Sequence, residues 1–291
     1  MRLARIRVSS GEDHVAMLGD DDEITLLDLS QVTAINSLSD ILHSPDPHGL
    51  ASFLKHQTAP ALTTSEVQFL VPIDQQEVWA AGVTYKRSQV ARMEESEAAA
   101  SHYDKVYTAD RPELFLKATP SRVSGPDEPV RVRYDSQWSV PEPELALFVN
   151  PDGTICGYSV GNDMSARDIE GENPLYLPQA KFYKNCCALG PSVLLTNDAP
   201  ERSGFNINLK IERRGEVVYD ESTSAGEMVR EFTELTDWLM RENDFPTGAV
   251  LLTGTGLVPP DDFTLKNGDL VSIRIDGIGT LVNPVVQATP N

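Results

Sequence analysis

The chain has 291 residues, of which 40% are hydrophobic and 23% charged, an ordinary composition for a soluble globular protein with a sizeable core. Its 44 acidic against 24 basic residues give a formal net charge of −20, which repels phosphate backbones and anionic lipid and argues against nucleic-acid or membrane-surface partners. At about 100–200 residues per domain, the length suits one large domain or a large and a small one.

Residues 1–30 alternate in short β-like runs, Leu3–Val8, His14–Leu18 and Ile24–Leu29, separated by turn signals. Two short helical patterns follow around Ser37–His43 and Gly49–His56, broken by Asp46-Pro47. Residues 1–70 therefore read as a small α+β N-terminal domain, and 71–291 as a second, larger one. That larger domain opens with a buried strand, Val78–Gly82, and a polar stretch rich in helix formers, Lys86–Ala100. Short β runs then recur: Glu113–Lys117, Val130–Tyr134, Glu144–Val149, Thr154–Val160, Ser192–Leu195, Asn206–Glu212, Glu216–Tyr219, Val250–Thr253 and Leu270–Ile275. One further helix is expected over Ala225–Arg241, from apolar positions near a 3.6 period. Many strands and few helices predict a β-rich α+β fold, a mixed sandwich or rolled sheet, rather than a doubly wound one.

No apolar run approaches the ~18–20 residues of a membrane span. The first residues show no apolar stretch with a cleavage site, so no signal peptide is expected. Cys156, Cys186 and Cys187 make neither a disulfide framework nor a CxxC pair, and the chain reads as cytoplasmic.

All five histidines lie within the first 102 residues, so chemistry in the remainder has no local imidazole base and no His-ligated zinc. Carboxylate, lysine, tyrosine and hydroxyl chemistry is left, which suits a hard ion such as Mg²⁺ or Mn²⁺. Glu142 and Glu144, in the extended segment Val140-Pro141-Glu142-Pro143-Glu144, point to one face at i and i+2. If the next strand returns antiparallel, Asp163 of Gly161-Asn162-Asp163 arrives at the same level. Three converging carboxylates repel unless a cation lies among them; a solvated acidic turn is the plain alternative. Lys181 is a surface lysine on the plain reading and a base on the functional one. Glu113 and Lys117, at i and i+4 of one strand, read as a strand-end ion pair or as an acid with its positioning cation. Thr253 and Thr255 are turn residues or hydroxyl donors to a ligand carboxylate.

Together these segments resemble the fumarylacetoacetate hydrolase family over about residues 72–285. The likeness rests on Ala81-Gly82-Val83-Thr84-Tyr85, Pro112–Lys117, Pro141–Ala146, Gly161-Asn162-Asp163-Met164-Ser165-Ala166-Arg167-Asp168 and Leu251–Gly256. It implies a β-rich catalytic domain, a homodimer or homotetramer, and Mg²⁺ or Mn²⁺ held by Glu142, Glu144 and Asp163. It also implies 2-oxo acid substrates. Hydrolytic members carry a His and a Glu where this chain has Ser88 and Ala91, so a water-activating base is missing. The T-Y-x-x-S form resembles the sugar-acid branch of the family. This implies a lyase that dehydrates a 2-dehydro-3-deoxy sugar acid, such as 2-dehydro-3-deoxy-D-arabinonate, to 2,5-dioxopentanoate. Lys181 would take the C3 proton and Glu113 would protonate the departing hydroxyl, with Lys117 fixing Glu113. Tyr85, Ser88, Lys117, Arg167 and Thr255 would bind the substrate. The alternative is a metal-dependent C–C hydrolase of acylpyruvates or other 2,4-dioxo acids.

Overall fold

The computed structural model describes residues 1–19, 23–56, 58–86, 106–196, 199–287 and 289. Among these, the larger sheet has twelve strands. Its centre runs Arg2–Val8, Cys187–Leu194, Ile155–Asp163, Pro143–Val149, Ala249–Leu252, Glu77–Gly82 and Glu113–Ala118. A second sheet of five strands contains Glu216–Ser224, Asn206–Arg213, Leu270–Ile275, Gly279–Gln287 and Val130–Val132. The expected β-rich α+β architecture is the one found.

Strand Pro143–Val149 explains how the layers stack. Every residue in it is buried, and alternation sends neighbours to opposite faces. Leu145, Leu147 and Val149 enter a core shared with Leu209, Ile211, Val271, Ile273 and Leu281 of the second sheet. Ala146 and Phe148 enter another core on the far face, with Leu38, Ile41 and Leu42 of the helix Leu38–Leu42. A strand covered on both sides must be a continuous apolar run, and from Leu145 to Val149 this one is. Glu142 and Glu144 continue the Ala146 and Phe148 parity, so their carboxylates emerge on the face away from the second sheet.

The antiparallel return is present: Pro143 pairs with Asn162 and Glu144 with Gly161. The strand extends to Asp163, whose N–H donates to the Glu142 carbonyl at 2.9 Å. Direct partners in an antiparallel pair share a face, which brings Asp163 beside both glutamates.

Residues 1–70 join the larger sheet directly, through Arg2↔Leu194 and Leu3↔Val193. They also keep a small core of their own around Ala4, Ile6, Ala16 and Ile24. We propose that the division near residue 70 is one of packing, with the sheet running across it.

The helices expected around Ser37–His43 and Gly49–His56 are present as Leu38–Leu42 and Pro47–Phe53, and those farther along the chain depart from expectation. Of Ala225–Arg241, only Phe232–Leu239 is α-helical, preceded by a 3-10 turn at Ala225–Glu227. Between them Met228 bridges to Tyr85 and the Val229 N–H donates to the Thr84 carbonyl, so tertiary pairing takes the backbone bonds a longer helix needs. Two short helices escape the 3.6-period reading, Arg167–Glu172 and Leu177–Lys181. Five or six residues make too short a pattern, and packing rather than propensity holds them. The expected helix over Lys86–Ala100 lies outside the described residues beyond Lys86. Among the described residues, no helix is long and apolar enough to cross a membrane.

Candidate active site

Glu142, Glu144 and Asp163 are 3%, 1% and 1% exposed, and each offers an oxygen within 4.8 Å of the others. Gathering three carboxylates out of water is unfavourable without compensation. Three buried cations supply it. Lys117 Nζ lies 2.6 Å from Asp163 Oδ1, and Arg167 Nη2 lies 2.9 Å from Glu142 Oε1. Lys181 Nζ bridges Glu142 Oε2 and Asp163 Oδ2, the latter at 3.2 Å. Burial opposes the Lys117 charge most strongly, but Asp163, Cys186 and Cys187 together outweigh it and hold the ammonium's pKa above its ordinary value.

Glu144 is treated differently. Its Oε2 accepts the Gly254 N–H at 2.6 Å. Burial first, then Asp163 and Glu142, push its carboxyl well above the usual carboxylate range. A site made of oxygen donors, with one carboxylate held back from ionising by its neighbours, fits a hard divalent cation.

The pocket over this cluster is lined by Glu113, Phe115, Glu142, Glu144, Asp163, Glu170, Lys181 and Thr255, with Ala81–Val83 and Gly254. Of the residues singled out in the sequence, the structure thus brings Glu113, Glu142, Glu144, Asp163, Lys181 and Thr255 to one cavity. A β-carbon on Gly82 would collide with Glu113 Oε2, so that glycine lets the carboxylate lie against strand Glu77–Gly82. The pocket's Thr255 hydroxyl bonds within its own turn, donating to the Leu257 carbonyl at 3.2 Å.

Lys117, Arg167 and Tyr85 stand behind the lining. Lys117 is fully buried and donates to the Met164 carbonyl at 2.8 Å and the Lys181 carbonyl at 2.5 Å. It pairs with Asp163 rather than with Glu113. Four residues along a strand span about 13 Å, whereas Asp163 lies within direct reach. Arg167 is 2% exposed against Glu142. Tyr85 is 1% exposed, bridged to Met228, and its phenol is raised above its ordinary pKa by burial and then by Glu144. Ser88 and Ala91, which bear on the hydrolase alternative, lie outside the described residues.

Glu170 was not singled out in the sequence. It is 3% exposed, lines the pocket and accepts from Ser165 Oγ at 3.1 Å. The run Arg167-Asp168-Ile169-Glu170-Gly171-Glu172 reads as a solvated charged turn, and its one clue is Arg167 at i−3.

Gly254 has φ +90°, and a β-carbon there would strike Thr84 Oγ1. Gly254→Ala is expected to cost at least about 1–3 kcal/mol from the left-handed backbone alone, measured by urea unfolding of the metal-free protein.

The sequence profile described as "Fumarylacetoacetate (FAA) hydrolase C-terminal" matches residues 77–286. A Haloferax volcanii protein named "Probable 2-keto-3-deoxyxylonate dehydratase" is 54% identical over 215 residues, 74% of either chain. The Saccharolobus solfataricus "2-dehydro-3-deoxy-D-arabinonate dehydratase" is 44% identical over 224 residues, 76% of this chain and 75% of that one. A solved structure, "2-keto-3-deoxy-D-arabinonate dehydratase complexed with magnesium and 2,5-dioxopentanoate", superposes with a TM-score of 0.83 at 35% identity, covering 100% of both chains.

Proposed function

The chain belongs to the fumarylacetoacetate hydrolase family, and from that premise we propose that it is a magnesium-dependent lyase dehydrating a 2-dehydro-3-deoxy sugar acid. The substrate we propose is 2-dehydro-3-deoxy-D-arabinonate and the product 2,5-dioxopentanoate. One observation carries this reading. A buried oxygen-donor cluster, Glu142, Glu144 and Asp163, lines one cavity together with Lys181 and Glu113. The relatives at 54% and 44% identity are both named as dehydratases of such acids.

Mg²⁺ (or Mn²⁺) held by those three carboxylates would supply Lewis-acid polarisation of a bound 2-oxo acid, making its C3 protons acidic. Lys181 is the group we assign to take the C3 proton. Glu113, which lines the same pocket, is assigned to protonate the leaving C4 hydroxyl, which departs as water. The carbon chain stays whole: a C3 hydrogen and the C4 hydroxyl leave, and proton shifts from C5 toward C3 and C4 turn the terminal carbinol into the aldehyde. Gly82 supports this role for Glu113 by leaving space for its carboxylate against the strand. Thr255 borders the cavity and is assigned to the substrate's oxygens. Lys117 and Arg167 act from behind the lining, orienting Asp163 and Glu142 through their ion pairs. Tyr85 is buried within electrostatic reach of Glu144 and is assigned with Ser88 as a proposed substrate contact.

We assign the enzyme to the cytoplasm, as a homodimer or homotetramer. The unpaired state of Cys156, Cys186 and Cys187 supports a reducing compartment.

The test supplies metal-free protein with 2-dehydro-3-deoxy-D-arabinonate and Mg²⁺, with a semialdehyde dehydrogenase and NADP⁺ reporting 2,5-dioxopentanoate. Signal is expected with Mg²⁺ and is expected to vanish with EDTA. Cleavage of acylpyruvates in parallel, without that signal, would move the chain to the hydrolases.

A further inference from the structure

The three cations around the carboxylates are not equivalent. Lys117 and Arg167 take the outer oxygens, Asp163 Oδ1 and Glu142 Oε1, from behind the pocket wall. Lys181 takes the inner ones, Glu142 Oε2 and Asp163 Oδ2, and alone of the three lines the pocket. An ammonium on these two oxygens and a divalent ion among the same carboxylates are like charges at close quarters, in a site from which water is largely removed. Each therefore weakens the binding of the other.

We propose that Lys181 is the resident counter-cation of the cluster, and that a divalent ion binding there displaces its ammonium from Glu142 Oε2 and Asp163 Oδ2 into the pocket. The inference rests on the metal-dependent reading above and adds an order of events: the ion arrives, the ammonium leaves the carboxylates, and once it has given its proton to solvent the neutral amine meets the substrate's C3 proton. The backbone does not move in this displacement. Lys117 donates to the Lys181 carbonyl at 2.5 Å and pins it, so the motion is confined to the flexible Lys181 side chain. The ring of Phe115, 5.7 Å from Lys181 Nζ and itself part of the lining, offers the ammonium a surface as it leaves the carboxylates. Arg167 and Lys117 keep the outer oxygens paired throughout, so the cluster is never left without counter-charge.

Mn²⁺ alone, titrated into metal-free protein without substrate and followed by the EPR signal of the free ion, tests this. Lys181→Met is expected to bind Mn²⁺ about tenfold more tightly than the wild type, or better, because the competitor is gone. Lys181→Arg keeps the charge and is expected to stay within about threefold of the wild type. Equal or weaker affinity in Lys181→Met would overturn the proposal. A second measurement needs no variant. Wild-type protein is exposed to a small amine-acylating reagent with Mg²⁺ or with EDTA, and Lys181 and Lys117 are quantified by peptide mass spectrometry. Lys181 is expected to react faster with Mg²⁺, while fully buried Lys117 stays unreactive in both. Lys181 labelling that is equal, slower or absent in both conditions counts against displacement. Failure of Mn²⁺ to bind to any form contradicts the metal-dependent reading itself, whereas binding of unchanged affinity contradicts the displacement alone.

Discussion

Asp163→Ala is expected to abolish measurable dehydration and to lower the stability of the metal-free protein by about 3–5 kcal/mol, the range for breaking a buried ion pair from one side. Asp163 is where the site's ionic contacts meet: Lys117 holds one oxygen and Lys181 the other. Lys117 is fully buried, and without Asp163 its ammonium is left with two backbone carbonyls and no counter-charge. Urea unfolding and the coupled assay measure the two effects separately.

Glu144 makes the instructive contrast. It too is one of the three proposed metal ligands, but its fixed partner is the Gly254 N–H rather than a cation. Burial and the neighbouring acids raise its folded pKa above the unfolded value. A carboxyl shifted this way contributes stability that is fully present below the unfolded pKa and lost as pH rises through the folded one. Glu144→Gln is therefore expected to leave the metal-free protein at neutral pH as stable as the wild type or more so. It should nonetheless remove the stabilisation by Mg²⁺ seen in thermal unfolding. Loss of stability comparable to that of Asp163→Ala would show that Glu144 is compensated in a way the geometry does not provide.

The second large effect is expected at Lys181. Lys181→Met should lower kcat by about 10²–10⁴-fold, the usual contribution of a positioned acid or base, while the fold is retained. Glu142 keeps Arg167 and Asp163 keeps Lys117 in this variant, so neither carboxylate is stranded. Steady-state kinetics at saturating Mg²⁺ measure it. A rise in KM with kcat unchanged would instead make Lys181 a binding group.

The carboxylate cluster was legible in the sequence because it depends on local rules. Two glutamates at i and i+2 in a proline-stiffened strand must share a face, and the short turn at Asp152-Gly153 sends the next strand back beside them. Lys117 was legible as a candidate but not in its role. Its partner lies on a strand 46 positions later, and strand order is set by the whole sheet rather than by the segment. Arg167, Glu170 and Lys181 sit on or at the end of helices of five or six residues, too short to show a period. Strand Gly279–Gln287 was missed because Asn283 and Pro284 interrupt its apolar run. In the fold Asn283 is buried and its amide donates to the Gly125 and Glu128 carbonyls, at 2.9 and 2.8 Å.

The central claim is that this site breaks a C–O bond and leaves the carbon chain whole. Proton NMR of 2-dehydro-3-deoxy-D-arabinonate incubated with enzyme and Mg²⁺ addresses it directly, with no coupling enzyme. The account predicts loss of the substrate's C3 methylene signals and growth of the 2,5-dioxopentanoate aldehyde and its hydrate, with no pyruvate methyl resonance, all blocked by EDTA. Pyruvate methyl protons appearing with a two-carbon aldehyde, or product forming unchanged in EDTA, would contradict it.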